Sequence, residues 1–111
     1  MTREERISAY EETLDRALQV ADQTETALRD CERILPDLQA LDEYYASPVW
    51  KEDYAADEAG LIPKDLKRGV LSQDAVYDLL ERFRELRAEM SRIAGEWQAD
   101  SISGLNDSQK Q

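Results

Sequence analysis

The chain predicts an all-α fold, in which an antiparallel pair of long heptad-patterned helices is joined by a short connector helix and loop into a three- to four-helix bundle-like unit. Three observations carry this. Apolar residues step by three and four through two long stretches, and breakers are scarce, with four Gly and three Pro in 111 residues. Between those stretches lie the cap and turn residues Ser47, Pro48, Gly60, Pro63, Gly69 and Ser72. A composition 41% hydrophobic and 35% charged, rich in Ala, Glu, Leu and Arg, favours helix over sheet.

The first stretch reads Ile7, Tyr10, Leu14, Ala17, Ala21, Leu28, Cys31, Leu35 and Leu38, with Thr24 filling the one gap. That spacing is a heptad seam. Ala17, Ala21 and Thr24 are small, so a partner helix can approach closely there. Glu12 with Arg16 and Glu25 with Arg29 are i,i+4 pairs, each contributing about 0.2–0.5 kcal/mol. Pro36 cannot donate to the carbonyl of Glu32, and its ring crowds that turn. The seam keeps its phase through Leu35 and Leu38, so the helix is expected to kink near Pro36 rather than break.

Ser47-Pro48 reads as an N-cap followed by proline at the first helical position. A short helix then carries Trp50 and Tyr54 and stops at Gly60. Leu61 to Leu71, with Pro63 and Gly69, reads as a loop. Ser72 is expected to cap the last helix, with Asp74 in its first turn. That helix repeats the seam in Val76, Leu79, Phe83, Leu86, Met90, Ile93 and Trp97, widened by Leu80 and Ala94. Residues 1–98 are therefore expected to form one helical domain, and 99–111 a disordered polar tail.

No run of about 18 apolar residues is present, so no membrane span is expected. MTREERISAYEE lacks the apolar centre of a secretion signal, which points to the cytoplasm. The net charge of −11 opposes binding to nucleic acid or to an anionic membrane surface. Cys31 is the only cysteine and histidine is absent. Ser-His-Asp and Cys-His catalysis, thiolate–imidazole zinc sites and redox dithiols are thereby excluded. The charge is uneven: residues 35–62 hold one basic and seven acidic groups, whereas 63–71 hold Lys64, Lys67 and Arg68 against Asp65.

The connector carries a resemblance. Tyr44 to Leu80 joins Tyr-Tyr-x-Ser, Trp50-x-x-Asp53-Tyr54, Asp57-Glu58-x-Gly60 and the run Asp65-Leu66-Lys67-Arg68-Gly69-Val70-Leu71-Ser72. In these motifs, about a third of the chain, it resembles the bacterial domain of unknown function family 4298. Gln73 and Asp78 stand where that family often has an acidic residue and an asparagine. The resemblance implies an all-helical fold in bacteria and no particular activity.

Four groupings bear on chemistry. Asp53 and Asp57, one helical turn apart beside Glu52 and Glu58, suit a hard cation, or else ion pairs with Lys67 and Arg68 that close the bundle. The paired acidic steps of a helical pyrophosphohydrolase have counterparts in Glu12 to Asp15 and Asp78 to Glu81, but these lie off the seams. Lys67 and Arg68 before a helix start suit an anion, without a glycine-rich cradle. Tyr44, Tyr45, Trp50, Tyr54 and Tyr77 make either a satellite core or a protein-binding patch, and Cys31 reads as a small seam hydrophobe.

The reading is a non-enzymatic interaction or regulatory module without cofactor or metal, contacting an unknown protein partner through Tyr45, Trp50, Asp53, Tyr54, Asp57, Lys67 and Arg68. Two alternatives are an acidic nucleic-acid mimic that inhibits a basic protein, and a divalent-metal hydrolase acting on a phosphate substrate. The seams are satisfied by pairing within one chain or between two as a homodimer.

Overall fold

The structure, a computed structural model, describes residues 1–97. It is all-α: α1 (Arg3–Tyr45), α2 (Pro48–Glu58), a 3₁₀ turn (Gly69–Leu71) and α3 (Ala75–Trp97) follow one another. Two long helices with a short helix and a loop between them is the order the spacing predicts. No helix among the described residues is long and apolar enough to cross a membrane. The expected tail, 99–111, lies outside the described residues.

Helix α1 opens on a reciprocal cap. The Glu5 amide donates to Thr2 Oγ1 at 3.1 Å and the Thr2 amide to Glu5 Oε1 at 2.8 Å, which satisfies two donors that a helix start leaves unpaired. The helix continues through Pro36 without interruption. Of the two exterior pairs expected, Glu25–Arg29 forms at 3.7 Å, whereas Arg16 donates to Thr13 Oγ1 instead.

The chain divides into two units, Met1–Ala40 and Leu41 onward. The first is a single helix in which every side chain from Met1 to Asp30 is exposed, and Cys31 and Leu38 are half-buried. The second holds the buried core, which is small. Leu71 and Val76, 7% and 3% exposed, are its buried hydrophobic side chains. Leu41, Tyr44, Tyr45, Trp50, Tyr54, Ile62, Leu80 and Phe83 are half-buried in the same unit. Further along α3, Leu86, Met90, Ile93 and Trp97 are exposed, so Trp97 is no core residue here. Arg84 pairs with Glu81 and Arg92 with both Glu89 and Glu96 on that helix. Exposed pairs of this kind support a helix only weakly, because water screens both partners.

One boundary differs from expectation. Ser72 does not cap α3; its amide closes the 3₁₀ turn onto the Gly69 carbonyl at 3.0 Å. The last helix starts three residues later at Ala75, where the Asp74 carbonyl accepts from the Asp78 amide. The turn inserts Leu71 into the core just ahead of Val76, and hydrophobic burial decides the helix start against a favourable capping residue.

Candidate functional site

The connector is built outward from α2. Ser47 is its N-cap: the Ser47 hydroxyl accepts from the Trp50 amide at 3.4 Å and donates to the Tyr44 carbonyl at 2.7 Å. Pro48 takes the first helical position, where its missing donor costs nothing. At the other end Gly60 has φ +74°, the left-handed conformation that favours glycine. The Leu61 amide reaches back to the Ala56 carbonyl and the Gly60 amide to Asp57, which ends the helix and turns the chain. Both ends of α2 follow the sequence reading.

With α2 so placed, three rings meet. Tyr45 packs edge-on against Trp50 with centroids 5.1 Å apart, and Trp50 stacks on Tyr54 at 5.3 Å. Such ring pairs add about 0.5–1.5 kcal/mol beyond their burial. Two of the three polar tips are used. Trp50 Nε1 donates to the Val70 carbonyl at 2.9 Å, and the Tyr45 hydroxyl donates to the Gln73 carbonyl at 2.9 Å. The aromatic cluster thus ties the end of α1 and α2 to the segment that leads into α3.

Asp53 and Asp57 have separate partners. The Tyr44 hydroxyl donates to Asp53 Oδ2 at 2.6 Å. Arg68 Nη1 lies 3.2 Å from Asp57 Oδ1 and also faces the carbonyls of Ile62 and Pro63, each at 3.4 Å. Both members of the Arg68–Asp57 pair are about one-third exposed. Hydrogen bonds from a charged group contribute more than neutral ones, about 1.5–3 kcal/mol. Arg68 therefore acts as a pin: its guanidinium is held by α2 and itself holds the backbone of the loop. The Leu66 amide donates to the Pro63 carbonyl and completes a tight turn there.

Of the seven residues singled out by sequence, six make contacts inside this unit: Tyr45, Trp50 and Tyr54 by their rings, Asp53 through Tyr44, and Asp57 with Arg68. Lys67 is exposed and has no ion pair among the described residues. No group of three or more His, Cys, Asp or Glu converges as a metal site among the described residues. Sequence reasoning missed the roles of Tyr44 and of the Ile62, Pro63, Val70 and Gln73 carbonyls. Only the tyrosine carried a signal, its adjacency to Tyr45, because a carbonyl acceptor is present at every position.

Tyr44 gives the site a measurable handle. Its hydrogen bond to the Asp53 carboxylate, then burial, then the nearby negative charge push its phenol up from an ordinary value near 10 to about 12. A group whose pKa is raised on folding contributes stability that is fully present below its unfolded value. That contribution is lost as pH climbs from about 10 through about 12. The difference between the alkaline absorbance titrations of wild type and Tyr44→Phe is expected to isolate a phenol with its midpoint near 12. In Asp53→Asn that midpoint falls toward 10; a wild-type midpoint already at 10 contradicts the geometry.

No curated protein and no solved structure matches the chain. Residues 7–93 match the family described as Domain of unknown function (DUF4298), a span that covers α1 from Ile7, the whole connector and most of α3, and the chain belongs to that family.

Proposed function

We propose that this chain is a non-catalytic protein-interaction module whose contact surface is the connector between Tyr44 and Ser72. The observation that supports this reading is the loop held by Arg68. Its backbone is tied down, yet Leu61 and Leu66 are 74% and 56% exposed, with Lys64 and Lys67 exposed between and beside them. An ordered loop that keeps large apolar side chains in water while its neighbours Trp50 and Tyr54 are half-buried resembles a recognition surface more than a core. A fitting partner offers an apolar pocket rimmed by carboxylates.

Leu66→Asp and Lys67→Glu each remove one feature of that surface and leave the aromatic cluster untouched. Both are expected to abolish retention of a protein captured by wild type from an extract of the native cells, with helix content unchanged. Arg68→Ala is expected to weaken capture at least tenfold by releasing the loop. Unchanged capture by all three variants would defeat the proposal.

A further inference from the structure

The seam of α1 is longer than the rest of the chain requires. Heptad spacing is strict from Ile7 to Leu38, and Asp42 continues it. A straight helix drifts about 20° per heptad away from a 3.5-residue repeat, so a stripe this long stays on one face only where the helix winds around a partner along its whole length. At 1.5 Å per residue the 43 residues of α1 extend about 64 Å, and the 23 residues of α3 about 34 Å. Among the described residues, only α1 matches the length of α1.

The stripe is also complementary to itself when reversed. In antiparallel pairing each a residue faces a d residue of the other helix, and one register aligns every layer of α1 with a second α1. Ile7 then falls opposite Leu38, Leu14 opposite Cys31, and the small pair Ala21 and Thr24 meet at the two-fold axis. At both ends Arg3 of one copy falls opposite Asp42 of the other, placing opposite charges where the apolar layers stop. Val20, Ala27 and Ile34 widen the stripe on one flank. On the other flank Glu11 faces Glu32, a repulsion that salt screens. Leu14, Leu28 and Leu35 are each about half-exposed in the single chain.

We infer that α1 is a homodimerisation helix that pairs antiparallel with α1 of a second copy about a two-fold axis between Ala21 and Thr24. This surface is separate from the Leu61–Lys67 loop, so either can fail without the other.

Light scattering on the full chain is expected to give the mass of two 12.8 kDa chains. Leu14→Asp places a charge in two layers of the dimer and is expected to weaken it by about a hundredfold or more, while the Tyr45–Trp50–Tyr54 cluster keeps its near-ultraviolet signal. Register is read by oxidation of Leu14→Cys. Positions 14 and 31 lie about 25 Å apart along one helix, so they cannot join within a chain. Across the proposed interface they share a layer. Leu14→Cys is therefore expected to give a disulfide-linked dimer that disappears when Cys31→Ser is added, and wild type none. A monomeric wild type, a wild-type dimer linked through Cys31 as parallel pairing allows, or a Leu14→Cys protein that does not cross-link would each overturn the inference.

Discussion

Val76→Asp is expected to unfold the described part of the second unit, residues 41–97. Val76 is 3% exposed, and Leu71, at 7%, is the other buried hydrophobic side chain among the described residues. A carboxylate there has no cation within the core to meet it, and an unpartnered carboxyl in that place costs several kcal/mol whether it stays ionised or takes up a proton. Net stabilities of small domains are about 5–15 kcal/mol, and a core this small places the unit at the low end. The loss, at least about 4 kcal/mol, is therefore comparable with the whole. Urea unfolding followed by tryptophan fluorescence measures it, with Val76→Ala as the milder comparison at about 2 kcal/mol for the two methyl groups and the space they leave. A midpoint for the aspartate variant near that of wild type would mean that Val76 is not where the core is held.

The second large effect is at Trp50. Trp50→Ala removes the stack on Tyr54, the edge contact with Tyr45 and the hydrogen bond to the Val70 carbonyl in one step. Truncation of a packed tryptophan costs about 3–5 kcal/mol; a half-buried one belongs at about 3. Trp50→Phe keeps an aromatic face and loses the donor, for about 1 kcal/mol. The two variants separate packing from hydrogen bonding. The loop is expected to loosen with the alanine variant, which hydrogen exchange at the Leu66 amide reports through its bond to Pro63. Equal losses in both variants would show that the hydrogen bond, not the ring stack, holds the connector.

Most of the local structure was legible in the residues. Ser47 with Pro48 and Gly60 delimit α2 because their caps are satisfied within five residues of chain, so nothing distant competes. Pro36 was legible in a different way: the apolar phase on both sides of it continues, and so does the helix. Ser72 shows where this kind of reading stops. Its residue type suits a cap, but the chain instead spends Gly69 to Leu71 on a 3₁₀ turn that buries Leu71, and no local signal encodes that choice.

The same division runs through the candidate site. Seven residues were singled out, and six of them make contacts within the folded unit, but their roles were open. The acidic pair suited ion pairs with Lys67 and Arg68 better than a cation, but which carboxylate met which partner was open. In the folded unit Asp53 is taken by Tyr44 and Asp57 by Arg68. Leu61 and Leu66 drew no reading beyond their place in the loop, because exposure has no sequence signature outside a periodic stretch.

By itself, then, the sequence determined the helical class, the helix ends set by local caps, the heptad phase of α1 and the concentration of aromatic and charged groups in the connector. These rest on interactions between residues at most a turn or two apart. Only the tertiary structure decided which carbonyls Trp50, Tyr45 and Arg68 reach, that Leu71 and Val76 are buried, and which apolar side chains stay in water. Those outcomes depend on contacts across as many as 28 residues of chain, as between Tyr45 and Gln73. Their acceptors are backbone groups that every residue carries alike, so identity alone could not single them out.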